Sequence, residues 1–153
     1  MKRLAILLLA GLLLAACGGS GRLSMKDYET HLQNDGKPVQ KTVTALTNAA
    51  NITSLAAFAT KADAAEAAVK NAADDLDSLK PPKDVEADNA AIVTALRTIQ
   101  SGLEKLKKVA ASGNAAAVLA GAAALESSAQ LKAAEKAITD LKQKGYTVGF
   151  LGT

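Results

Sequence analysis

His31 is the single histidine of the chain, and Glu29 lies two residues before it. One imidazole with no second ligand at a recognised spacing makes a poor metal site, so the expectation for His31 is a helix-surface residue. Serines, threonines and lysines are plentiful, but a nucleophile needs a base held beside it. With one histidine, and neither Ser-x-x-Lys nor Gly-x-Ser-x-Gly in the sequence, no triad can be assembled. A di-iron centre in a helical bundle needs several inward Glu and His residues, and the periodic positions here carry Leu, Ile, Val and Ala instead. Met1 and Met25 are too few for a methionine-rich copper site, and there is no Cys-x-x-Cys-His. The densest acidic region joins Asp74, Asp75 and Asp77 to Asp84, Glu86 and Asp88 across Lys80-Pro81-Pro82-Lys83. A calcium loop wants oxygen ligands on a turning backbone, often with glycine at the bend. A proline bend between lysines reads as a solvated helix end. The sequence therefore predicts no catalytic residue, no cofactor and no metal.

Cys17 is the one thiol, and its surroundings carry the clearest signal. Met1-Lys2-Arg3 precedes an apolar run from Leu4 to Ala16, and Gly18-Gly19-Ser20 follows the cysteine. A basic start, a short apolar core and small residues at the end form a secretory signal. About 13 apolar residues fall short of the roughly 20 that a spanning helix needs. Leu14-Ala15-Ala16-Cys17 resembles the lipobox of bacterial lipoproteins. The resemblance implies that Leu14, Ala15 and Ala16 are read by the signal peptidase, that residues 1–16 are removed, and that Cys17 carries a diacylglycerol thioether as the new N-terminus. It also implies a lipid-anchored protein on the extracytoplasmic face of the cell membrane, or on an outer membrane where the cell has one. A lone cysteine fits an exported chain without a disulfide framework.

Cleavage of 16 residues from the 153 would leave 137, enough for one domain with a core. It would also remove Lys2 and Arg3 from the 18 basic residues, leaving 16 against 15 acidic ones. The sequence pI of about 9.0 thus overstates how basic the mature chain would be. Near-neutral charge and export both argue against nucleic acid as a partner. Alanine, the best helix former, occurs 34 times, while aromatic residues make up only 3%.

Helical periodicity organises the rest. Gly18 to Leu23 reads as a tether of at most roughly 20 Å, and Ser24 as the cap of a first helix from Met25 towards Ala50. Asp35-Gly36-Lys37-Pro38 predicts a kink or break within it. A second helix over about Ser54 to Leu79 carries an unbroken heptad seam from Leu55 through Ala62, Ala65, Val69 and Ala72 to Leu76. A third, from near Asp84, carries Val85, Asn89, Ile92, Leu96, Ile99 and Leu103. Asn89 is the polar exception in that seam: it sets register or is solvated, or it touches a ligand. Gly113 suits the turn into a fourth helix over about Asn114 to Lys144. Its early seam (Val118, Gly121 or Ala122, Leu125) and late seam (Leu131, Ala134, Ile138, Leu141) are out of phase, with Ser127-Ser128-Ala129 absorbing the shift. The i,i+4 pairs Glu66–Lys70 and Glu104–Lys108 read as structural. Small seam residues predict close packing rather than a cavity.

The expected fold is all-α, an antiparallel four-helix bundle over residues 25–145, with a tail over 146–153. Tyr146, Val148 and Phe150 alternate with polar or small residues, so the tail is expected to dock. Leu79-Lys80-Pro81-Pro82-Lys83-Asp84-Val85, Asn89-Ala90-Ala91-Ile92-Val93 and the ending Leu141 to Tyr146 resemble small helical lipoproteins of high-GC bacteria, the actinobacteria among them. That group has no assigned activity to carry over. The expected function is a non-catalytic structural or interaction module of the cell envelope, with an envelope protein as partner. The alternative is a helical carrier or sensor for a small apolar molecule.

Overall fold

The computed structural model describes residues 21–47 and 54–148. The expected lipobox residues Leu14, Ala15, Ala16 and Cys17, the expected helix extension to Ala50 and the tail residue Phe150 lie outside them. The described residues form α1 (Met25–Thr47), α2 (Leu55–Ser78), α3 (Glu86–Ala111), α4 (Ala115–Glu126) and α5 (Ala129–Gln143), with a short 3₁₀ turn (Lys83–Val85) before α3. No strand occurs among them. Nor is any of these helices long and apolar enough to cross a membrane.

Two expectations about the helices are corrected. The single fourth helix is two, because Ser127 and Ser128 end one helix and start the next. Ser128 adopts an extended backbone, and its Oγ accepts from the Leu131 amide, capping α5. Two helices can each turn their own seam inward, so the phase difference between Val118-Leu125 and Leu131-Leu141 is accommodated by a break. Of the kink or break expected in the first helix, the break is absent: α1 runs continuously through Pro38. Proline removes one amide donor, but Pro38 and Asn34, whose carbonyl loses its partner, both lie on the exposed side. On that side solvent can supply the missing bond, while Leu32 and Val39 bury the opposite side.

α2 and α3 form the spine, running in opposite directions from Pro81-Pro82. Asn89 reaches Leu76 near the turn, Arg97 pairs with Asp74 further along, and Lys107 pairs with Glu66 and Asp63 beyond that. Leu55 closes the far end against Leu106 and Ala110. α1 packs on α2, and α4 and α5 pack on α3. α4 sits close because Gly102 and Gly121 lack side chains: a Cβ would lie 2.8 Å from Leu125 Cδ2 at the first and 2.7 Å from Leu106 Cδ2 at the second. Gly145, at φ +88°, ends α5 with the paired bonds Tyr146 N to Leu141 O (3.0 Å) and Gly145 N to Lys142 O (3.1 Å).

That turn throws the tail back onto the α2–α3 end. Tyr146 and Val148 are buried there, as their alternation predicts. The Tyr146 ring meets Tyr28 edge-on at 6.0 Å. Its hydroxyl donates to the Asp84 carboxylate at 3.2 Å, and the Thr147 amide donates to Glu29 at 2.6 Å. The N-terminal segment is tied to the same end. Leu23 N donates to Lys80 O (2.8 Å), and the Arg22 guanidinium reaches Pro81 O and Glu86. Arg22 and Leu23 therefore belong to the domain, which shortens the expected tether.

Candidate functional site

A cavity of about 180 Å³ lies among α1, α2, α3 and α5, walled mainly by Leu32, Val39, Leu76, Ile92, Ile99 and Ile138. Its origin is local. Each of the four helices contributes a small residue to the wall: Gly36, Ala72, Ala95 and Ala134. A side chain missing from one helix can be filled by its neighbours; four missing side chains facing one space cannot. Close packing of the small seam residues thus holds at Ala62 and Ala65, which join Val39, Val69 and Leu103 in a filled core. It fails at Ala72. The lining is almost wholly apolar, with Asp35 and Glu135 as the charged residues at its edge. The space is partly open at that edge; an enclosed apolar cavity of about 150 Å³ takes up benzene, and the lining here is of the same chemical kind.

Asp35 connects the cavity to a second feature. One turn earlier on α1, His31 Nδ1 lies 2.7 Å from Asp75 Oδ2 of α2. Donor atoms of His31, Asp35 and Asp75 all lie within 4.8 Å of one another. Asp35 Oδ2 is buried with no hydrogen-bond partner. The Asp75 carboxylate stands near it, and a carboxylate accepts but cannot donate unless one of the two holds a proton. Burial first, and then Asp75, push the Asp35 carboxyl up to about 7, while His31 opposes the shift. The expectation of a plain surface role for His31 is corrected: it is half-buried and bonded across the α1–α2 interface. Spacing on α1 brings His31 and Asp35 onto one face, i to i+4. The pairing of α1 with α2 supplies Asp75, and no sequence period reports that pairing.

The remaining polar candidates have structural roles. Asn89 is 7% exposed. It accepts from the Tyr28 hydroxyl at 2.9 Å and donates to the Leu76 carbonyl at 3.0 Å, fixing α1, α2 and α3 in register. It does not line the cavity. The acidic region is neutralised piece by piece. Asp74 bonds Lys70 and Arg97, which hold its carboxyl below the usual range. Asp88 bonds Lys144 at 2.6 Å, and Glu86 bonds Arg22. Asp75 alone of this group faces an imidazole.

α4 differs from the other helices. Its only charged residue is Glu126, and Leu119 is 73% exposed. An open groove beside it, between α3 and α4, is lined by both polar and apolar residues, Arg97, Ser101, Leu106 and Leu125 among them. No family model, curated protein or solved structure matches this chain.

Proposed function

We propose that this protein is a lipid-anchored, extracytoplasmic helical module that holds a small apolar molecule between its helices, without catalysis. The observation that carries the binding half is the cavity formed by Gly36, Ala72, Ala95 and Ala134. The fold is read as an antiparallel four-helix bundle in which α4 and α5, end to end, make the fourth rod. The anchoring half rests on the sequence: Leu14-Ala15-Ala16-Cys17 after a basic start and a short apolar run. A lipid on Cys17 is the expected membrane attachment. The tie of Arg22 and Leu23 to the α2–α3 turn then holds that end nearest the membrane and α4 at the far end.

A compact ring or a short branched chain suits about 180 Å³; a haem or a long acyl chain does not. Native mass spectrometry of the full chain tests the reading. The expected result is one apolar small molecule per chain, lost when Ala134→Leu fills the wall. A chain that carries none and takes up no hydrocarbon probe contradicts it. The exposed apolar face of α4 favours a second reading, in which that face docks on an envelope protein. Cys17→Ala is expected to block lipidation and maturation, and an unmodified Cys17 in membrane-extracted protein would contradict the anchor.

A further inference from the structure

We infer that His31, Asp35 and Asp75 form a binding site for one divalent transition-metal cation, zinc being the first to test. Three donors converge there from two helices: an imidazole nitrogen and two carboxylate oxygens, all within 4.8 Å of one another. In a tetrahedral zinc site, bonds of about 2 Å place neighbouring ligand atoms roughly 3.3 Å apart. His31 Nδ1 and Asp75 Oδ2, at 2.7 Å, are already closer than that. Asp35 completes the set by rotating its carboxylate towards the pair.

The second observation is independent of the spacing. Asp35 Oδ2 is buried and has no partner, a costly arrangement for a carboxylate oxygen. No lysine or arginine among the described residues is ion-paired with Asp35 or Asp75, although Asp74 and Asp77, on either side of Asp75, both pair with Arg97. A cation among the three groups would supply the charge that the helices do not. One nitrogen and two oxygens suit zinc and its neighbours better than calcium or magnesium, which take oxygen ligands in larger number. Three protein ligands leave a coordination position open, and Asp35 borders both the site and the cavity. The metal site does not require the cavity to be filled, so the two readings stand or fall separately.

Titration of the full chain with zinc chloride, followed by calorimetry and elemental analysis, tests the site. One zinc per chain is expected, together with a higher melting temperature. His31→Gln, Asp35→Asn and Asp75→Asn should each weaken binding about 100-fold or more, beyond the loss usual for an outer-shell partner. Circular dichroism identifies any variant that fails to fold, and the other two then decide. Cobalt, as a spectroscopic substitute, should give visible absorption that is lost in the same variants. Absence of stoichiometric zinc overturns the inference. So does zinc that binds equally well to all three folded variants, since it would then sit elsewhere.

Discussion

Single residues decide how the interior of this protein tolerates polarity. Asn89 and Tyr28 satisfy each other and the Leu76 carbonyl in a buried chain of two hydrogen bonds. Asn89→Ala would strand both the tyrosine hydroxyl and that carbonyl. At about 1–3 kcal/mol for each buried group left unpaired, it should cost more than Tyr28→Phe, which strands one oxygen. Equal losses in denaturant melts would mean that the two bonds are not linked. Tyrosine ionisation gives a second prediction. Burial, then Asp88, raises the Tyr28 hydroxyl well above its usual value; burial, then Asp84, pushes Tyr146 up to about 12. Both folded values exceed the unfolded one of about 10. Their contribution is complete below pH 10 and is lost as pH rises from 10 through 12. The unfolding midpoint should fall across that window, and fall less in the double variant Tyr28→Phe/Tyr146→Phe. Asn89 was legible in the sequence as the odd residue of a seam. Its partner was not, because pairing α1 with α3 depends on how three helices are stacked.

At the scale of the element, the sequence reported periods well and breaks less well. The seams of α2 and α3 lie inward over their length, since a heptad repeat leaves only one face to bury. Pro38 predicted a kink or a break, and packing on both sides of it keeps the helix continuous. Ser127-Ser128 carried the true break, and its signs were present: two out-of-phase seams and a serine suited to capping. Leu96 shows the limit of a seam. It occupies mid-seam but borders the cavity and is only partly buried. Leu96→Ala should therefore cost less than the 2–5 kcal/mol typical of a fully buried leucine. The glycines under α4 separate two effects. Alanine gains about 1 kcal/mol of helix propensity over glycine, while overpacking costs about 1–3 kcal/mol. At Gly102 a Cβ meets three carbons of Leu125, so the whole side chain must move and Gly102→Ala should destabilise. At Gly121 its only close contact is with the tip of Leu106, so Gly121→Ala should be near neutral. Thermal melts of the two variants would test that order.

Over the whole molecule, the two ends differ. One end ties the N-terminal segment, the proline turn and the tail together through Arg22, Leu23, Tyr146 and Lys144. The other carries α4 with its exposed apolar face. Between them, four helices border an apolar cavity. Alanine and glycine positions can be read from a sequence, but not whether four of them face one another at the same level. For that reason the sequence favoured close packing where the structure has a cavity.

The most direct measurement is an NMR titration of the full chain with toluene, a compact hydrocarbon probe, in wild type and in Ala95→Leu. Ala95 is buried on the wall, and the larger side chain should fill the space while adding about 0.5–2 kcal/mol of stability. In the wild type, the amides of Gly36, Ala72, Ala95 and Ala134 should shift together and saturate at one probe per chain, and the variant should show no saturable shift. No saturable shift in the wild type, or the same shifts in the folded variant, would contradict a binding cavity between the helices.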